Sequence, residues 1–156
     1  MPNELRFRPG RTGYVERVRE VFADQLARRG LRLTTQRGRI LDFLLAADRH
    51  LGLEEMHAAL KPSGVGRATV FRTMKVLQDS GLVSKVTGPD GASRFELELE
   101  RPHHDHLICT VCGSIEEVRW PDLEKIQHRV CQEAGFEPAW HRHEIFGRCR
   151  SCRGKK

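Results

Sequence analysis

The stretch His103-His104-Asp105-His106-Leu107-Ile108-Cys109-Thr110-Val111-Cys112-Gly113 gathers imidazoles, a carboxylate and thiols into one short run. Cys109 and Cys112 have the C-x-x-C spacing that lets two thiolates share one tetrahedral ion, and Cys149 and Cys152 repeat it near the C-terminus. A single C-x-x-C is as readily a redox pair. Two pairs, taking four of the five cysteines, point to a structural Zn(II) site. Gly113, directly after the first pair, permits the tight turn of a zinc knuckle. The fifth thiol, Cys131, lies mid-helix and is expected to be a buried small apolar residue.

Side chains alternate between the faces of a strand, so His103 and Asp105 are expected on one side and His104 and His106 on the other. One short strand can then serve two separate metal sites. Pro102 opens the run and Leu107-Ile108 continues it as a strand, which favours ligands over a solvated histidine-rich loop. His and Asp are the usual partners of borderline divalent ions.

Working back from this run, Glu98-Leu99-Glu100-Arg101-Pro102 reads as a hinge, residues 98–102, and the composition differs on its two sides. Residues 1–88 hold 16 Lys and Arg against 9 Asp and Glu, a net +7, while the whole chain carries +6. A basic half beside a nearly neutral one suggests a polyanion partner for the basic half. No apolar run approaches a membrane span and no secretory signal opens the chain, so a cytoplasmic protein with no membrane partner is expected. In that compartment paired thiols more often hold metal than form disulfides.

In the basic half, residues 1–12 show no apolar period and are expected to be a flexible basic arm. Val15, Val18, Val21, Phe22 and Leu26 predict a helix over residues 14–29, stopped by Gly30. A Thr34-Thr35 cap opens a second helix with Ile40, Leu41, Leu44 and Leu45 inward and Arg37 and Arg39 left toward solvent or phosphate. A third runs over residues 53–60 with Leu53, Met56, Ala59 and Leu60 inward, and a fourth over residues 67–80 with Val70, Met74 and Leu77 on its apolar line. The fourth helix offers Thr69, Arg72 and Lys75 on its other face. Strands over residues 82–87 and 92–99, joined by the turn Gly88-Pro89-Asp90-Gly91, complete a winged helix-turn-helix over residues 13–97, with Phe95, Leu97 and Leu99 alternating inward. In that arrangement the last helix before the wing enters the DNA major groove.

Beyond the hinge, residues 103–156 predict a small α+β unit. It has the cluster strand through Thr110, a strand over 114–119, a helix over 121–134 and a strand over 138–146. Its apolar complement is small: Ile115, Val118, Leu123, Ile126, Val130, Phe136, Trp140, Ile145 and Phe146. Such a unit needs both the metal and a partner surface.

At this point the chain resembles the ferric uptake regulator family of bacterial metal-dependent repressors. Ala68-Thr69-Val70-Phe71-Arg72 and the run from His103 to Gly113 carry the likeness, which extends from about Gly30 to Cys152. The resemblance implies an α+β protein whose winged helix binds an AT-rich palindromic DNA operator and whose C-terminal domain forms a homodimer. A divalent corepressor would switch DNA binding and so control metal homeostasis genes. It also implies three metal sites. Cys109, Cys112, Cys149 and Cys152 would hold the structural Zn(II). His50, Glu96, His106 and Glu117, with His104 as a further ligand and Glu98 as an alternative to Glu96, would form a hinge-side regulatory site. His103, Asp105, Glu124 and His141 would form a site within the dimerisation domain. Arg32, Arg37, Arg67, Thr69, Phe71, Arg72 and Lys75 would face DNA, with Phe71 standing where most members carry Tyr.

Fe(II) is the expected regulatory ion, with Mn(II) or Zn(II) also compatible with His and carboxylate ligands. Zinc sensors of the family commonly add a thiolate to that site, and peroxide sensors carry aspartate at the position of Glu117. No small-molecule substrate is expected. A metal-dependent hydrolase is the rival class, but the familiar H-x-H-x-D-H centre needs histidine at the position held by Arg101, so no enzymatic activity is expected.

Overall fold

Val18, Phe22 and Leu26 recur at i, i+4 and i+8 and are fully buried along one face of α1 (Arg11–Ala27), the first element of the computed structural model, which describes residues 11–47 and 49–154. The helix starts inside the segment expected to be a basic arm, the rest of which lies outside the described residues. Gly30 turns the chain at φ 66°, and Leu31 N–H donates back to the Leu26 carbonyl at 2.9 Å. The hydroxyl of Thr34 then caps α2 (Thr35–Ala46) by accepting from Arg37 N–H at 3.4 Å, and Ile40, Leu41 and Leu44 face inward. A two-residue strand, β1 (Leu51–Gly52), leads directly into α3 (Leu53–Leu60). Met56 and Leu60 are buried there, while Leu53 is only partly covered and Ala59 is exposed, because this short helix turns a narrow face to the core.

After a 3-10 turn (Lys61–Ser63), α4 (Arg67–Asp79) buries Val70, Thr73, Met74 and Leu77. Gly81 stops it at φ 69°, and Leu82 N–H donates to the Leu77 carbonyl at 2.9 Å. The chain then folds into the hairpin of β2 (Val83–Thr87) and β3 (Ser93–Leu97). Both β1 and β2 pair antiparallel with β3, giving the order β1-β3-β2. The sequence predicted no β1, since two residues carry no periodicity. It also predicted alternation along β3, whereas Phe95, Glu96 and Leu97 are all buried. The second face of this middle strand is closed by His50, Ser84 and Arg101 around Glu96. Residues 99–100 form a turn with Glu100 in the left-handed region at φ 56°, an uncommon conformation for a residue with a side chain.

The chain divides into two compact units, one ending at Arg101 and the other beginning at Pro102. The second contains β4 (Asp105–Cys109), β5 (Ile115–Val118), α5 (Pro121–Glu133) and β6 (Glu144–Gly147). Its sheet has the order β5-β4-β6, antiparallel between β4 and β5 and parallel between β4 and β6. β6 is shorter than predicted. It can pair only along β4, which begins at Asp105, so the ladder opens with His106 opposite Glu144. Residues before it hold His141 against Glu124 and His143 against Gln127 instead.

Few apolar side chains are buried in this unit, essentially Ile108 with Cys109 and Cys152, and α5 buries none. Cys131, predicted to be buried, is half-buried on that helix. Among the described residues no helix is long and apolar enough to cross a membrane.

The packing of α1 supports one test. Phe22→Ala removes a fully buried ring from the first unit and is expected to destabilise it by about 3–5 kcal/mol. Thermal unfolding should show the loss while zinc content, measured on the folded protein, stays unchanged.

Candidate metal centres and candidate nucleic-acid interface

The parallel pairing of β4 and β6 sets Cys109 opposite Gly147, so the chain leaving each strand end supplies one of the two C-x-x-C turns. Thr110 N–H donates to the Gly147 carbonyl at 2.7 Å and ties the two ends together. Gly113, at φ 69°, closes the first turn, with its N–H on the Cys109 carbonyl at 3.0 Å. In the second turn Cys152 N–H meets the Cys149 carbonyl at 3.0 Å.

Backbone N–H groups of Cys112, Cys149 and Val111 converge on the Cys109 sulfur, the latter two at 3.4 Å, and bring that thiol down to about 5. Cys109 is therefore a thiolate at neutral pH. Cys112 is lowered as well, first by the Ser114 hydroxyl 3.3 Å away. Cys152 is pushed up to about 12, first by Cys149 beside it and then by burial. Several thiolates share this space only if a cation joins them. The sulfurs of Cys112 and Cys149 stand 3.7 Å apart, and all four lie within 4.8 Å of one another. Tetrahedral zinc with Zn–S of about 2.3 Å requires S···S of about 3.8 Å. The residues fit a structural zinc ion.

A second cluster forms where the start of β4 meets α5 and the segment before β6. His103 Nε2 lies 3.2 Å from Asp105 Oδ1 and 3.5 Å from Glu124 Oε1, and His141 Nε2 lies 3.0 Å from the same Glu124 oxygen. The His103 and His141 rings are 4.3 Å apart. Donors held at about 2.1 Å from one ion stand roughly 3.0–3.4 Å from each other, so these spacings suit a shared divalent cation. Asp105 is buried, and its Oδ2 has no hydrogen-bond partner among the described residues. A buried carboxylate oxygen of this kind is costly unless a cation or donor reaches it. His143, whose ring is 5.4 Å from His141 and which bonds Gln127, lies beside the cluster; its place two residues after His141 is the sequence signal that marks it.

The residues expected at the hinge-side site fall in both units. In the first, the register of β1 on β3 sets Leu51 opposite Phe95, so that His50, one residue before β1, comes level with Glu96. His50 Nε2 and Glu96 Oε1 are 3.0 Å apart and both side chains are buried, Glu96 being only 4% exposed. Ser84 donates to the same oxygen at 3.3 Å from its place opposite Glu96 on β2, and Arg101 reaches the other oxygen. Glu98, the alternative to Glu96, lies just past the end of β3 and is half-buried. In the second unit His106 faces Glu117 directly across the β4–β5 ladder. The His104 ring stands 5.1 Å from that of His106, and its Nδ1 lies 3.1 Å from the Pro102 carbonyl.

On α4 the buried line leaves Phe71 and Arg72 outward. Phe71 is 59% exposed, and Arg72 makes no ion pair or side-chain hydrogen bond among the described residues. Thr69 is half-buried, Arg67 pairs with Glu54 (2.7 Å), and Lys75 lies 3.4 Å from Asp79. Arg32 is exposed, and its carbonyl accepts from the Arg37 guanidinium at 2.5 Å. An exposed aromatic ring beside an uncommitted guanidinium suits a base edge and a thymine methyl.

Cys109→Ser should abolish zinc retention, because it replaces the thiolate on which the backbone donors converge. Little buried core remains to hold the second unit. Metal analysis and thermal unfolding of that unit check this; an unchanged melting temperature with zinc lost would show that the ion has no structural part.

The model of the ferric uptake regulator family matches residues 28–146. The peroxide-responsive repressor PerR of Staphylococcus aureus is 32% identical over 143 residues, covering 90% of this chain and 95% of its own. The Helicobacter pylori ferric uptake regulator Fur, whose structure is described as revealing three functional metal binding sites, superposes with a TM-score of 0.82. It is 25% identical and is covered over 95% of its length, with 91% of this chain. A zinc-bound manganese uptake regulator superposes at 0.63 with 34% identity, over 83% of this chain and 98% of that one. This chain belongs to the ferric uptake regulator family.

Proposed function

We propose that the protein is a metal-responsive transcriptional repressor, not an enzyme, that binds an AT-rich palindromic DNA operator as a homodimer when loaded with Fe(II), and so controls metal homeostasis genes in the cytoplasm. The observation that carries the reading is the buried His50–Glu96 pair at 3.0 Å in the DNA-binding unit, matched by His106 and Glu117 facing each other in the metal-binding unit. A divalent ion supplies a localised positive charge that such imidazole and carboxylate groups satisfy together. His50 and Glu96 bind from one unit and His106 and Glu117 from the other, with His104 as a further ligand, so the liganded state selects one arrangement of the two units. A ligand shifts such an equilibrium only by its preference for one state.

Exposed apolar groups support the homodimer. Trp140 is 80% exposed and Phe136 66%, with Ile126, Val130, Ile145 and Phe146 each about half exposed. An exposed set of that size is what a partner surface covers. Structural Zn(II) on the four thiols holds the unit that carries this surface. The His103, Asp105, Glu124 and His141 cluster binds a further divalent ion there. Phe71, Arg72 and Thr69 meet base edges, while Arg32 and Arg37 meet phosphates, as do Arg67 and Lys75 once their surface ion pairs with Glu54 and Asp79 exchange partners.

Sensing of iron rather than zinc rests on a His and carboxylate set without a thiolate. The likeness to a peroxide-responsive repressor favours a second reading, in which peroxide relieves repression by the iron-loaded protein. Glu117 favours the first, since peroxide sensors of the family carry aspartate at that position. Operator titrations of the Fe(II)-loaded protein before and after dilute peroxide separate the two.

His50→Ala should keep its zinc and its dimeric state, retain weak nonspecific DNA binding, and lose about 1–3 kcal/mol of metal-induced operator affinity. Operator titrations with and without Mn(II), an air-stable substitute for Fe(II), check this. Equal enhancement in variant and wild type would move the switch to the His103, Asp105, Glu124 and His141 cluster. Arg72→Ala should weaken operator binding by roughly 1–3 kcal/mol and relax the preference at one base pair. If the loss instead falls equally on all sequences with a smaller salt slope, Arg72 contacts phosphate.

A further inference from the structure

The carboxylate of Glu96 is shared. Its Oε1 faces His50 at 3.0 Å and accepts from Ser84 at 3.3 Å, while its Oε2 accepts from the guanidinium of Arg101, which also reaches the Leu97 carbonyl at 3.5 Å. Arg101 is itself largely buried, with its side chain 18% exposed. It is fixed by the turn after β3, where its N–H donates to the Glu98 carbonyl at 3.1 Å and where Glu100 takes the left-handed conformation. Arg17 also lies beside this turn, 3.1 Å from Glu100, and the Tyr14 hydroxyl lies within the field of Arg101, Glu100 and Glu98. Arg101 is therefore a permanent cation on the carboxylate expected to ligate the regulatory metal.

We propose that Arg101 sets the threshold of the metal response by acting as a built-in competitor cation for Glu96. The inference rests on the reading of His50 and Glu96 as regulatory ligands. A carboxylate buried as deeply as Glu96 needs a positive charge beside it. A guanidinium supplies that charge at every physiological pH, because it does not deprotonate. A divalent ion arriving at Glu96 meets a carboxylate that is already neutralised and an adjacent positive charge that repels it. Both effects weaken metal binding. Arg101 thereby keeps the carboxylate ordered at low metal and raises the concentration at which the ion takes it over. The proton balance is unaffected, since Arg101 stays charged before and after.

The test is Mn(II) binding to the zinc-loaded full-length protein, followed by calorimetry and by electron paramagnetic resonance of free Mn(II). Three variants are compared: Arg101→Gln, Arg101→Lys and His50→Ala. Arg101→Gln removes the charge and keeps a donor; it is expected to bind Mn(II) about tenfold tighter at one site per chain. Its Mn(II)-free form should melt at a lower temperature. Arg101→Lys keeps the charge and should bind within about threefold of wild type. A Gln variant that folds only with Mn(II) present also supports the proposal, because the ion then supplies the missing charge. Unchanged or weaker Mn(II) binding by Arg101→Gln overturns it, as does a Gln variant that is unfolded with and without Mn(II); in either case Arg101 is only a brace for the turn. His50→Ala separates the two ideas. If it binds the same number of Mn(II) ions with the same affinity as wild type, the ligand assignment itself fails. If it loses one site while Arg101→Gln stays unchanged, the assignment stands and the competitor role fails.

Discussion

The parallel pairing of β4 with β6 is the constraint on which the metal-binding unit depends. It sets Cys109 level with Gly147 and so delivers Cys149 and Cys152, about forty residues downstream, to the sulfurs of Cys109 and Cys112. Few apolar side chains are buried around this junction. Ile108 and two of the cysteines are nearly the whole of it, and α5 buries nothing of its own. In the zinc-loaded dimer we propose, the cost of ordering such a chain is met by metal–thiolate bonds and by the surface that Trp140, Phe136 and their neighbours leave open. Backbone donors on Cys109 favour the thiolate form of one sulfur.

The DNA-binding unit is built on the opposite principle. Val18, Phe22, Leu26, Ile40, Leu41, Met56, Met74 and Leu77 form a continuous apolar core that needs no metal. A stable core lets a costly buried polar group sit at its edge, and Glu96 is that group. It lies on the middle strand of a three-stranded sheet, enclosed by His50, Ser84 and Arg101. Each of these partners comes from a different segment, so a change of charge at Glu96 is felt at the β1 end, along β2 and at the turn that closes the unit. This is a suitable place for a regulatory ion to act, because a small electrostatic change there is coupled to the ends of several elements.

The same core fixes the outward face of α4, which we propose serves recognition. Val70, Met74 and Leu77 hold one face fixed, which leaves Phe71 and Arg72 outward at a defined pitch. Arg67 and Lys75 are held by Glu54 and Asp79 at the surface, pairs of little net strength. In the function we propose, these pairs exchange for phosphate, the basic excess in residues 1–88 supplies the long-range attraction, and the face of α4 supplies the local fit.

Much of this was legible in the chain itself, for physical reasons that act over short distances. Helical spacing of apolar residues located α1 to α5 to within a few residues, since a buried helix face repeats every three or four positions. The two C-x-x-C pairs named a tetrahedral thiolate site because two cysteines at that spacing can reach one ion, and strand alternation separated His103 and Asp105 from His104 and His106. What lay beyond reach was every feature set by pairing between distant segments. β1 is too short to carry a period, yet its register on β3 decides that His50 meets Glu96. Arg101, which in sequence only spoiled a hydrolase motif, becomes the counter-charge of that carboxylate through the turn at Glu100. β6 was predicted too long because its length is determined by where β4 begins, a fact about its partner strand and not about its own residues. Local propensity and ligand spacing belong to the sequence, whereas the identity of a buried charge's neighbour belongs to strand register, and only the folded chain decides it.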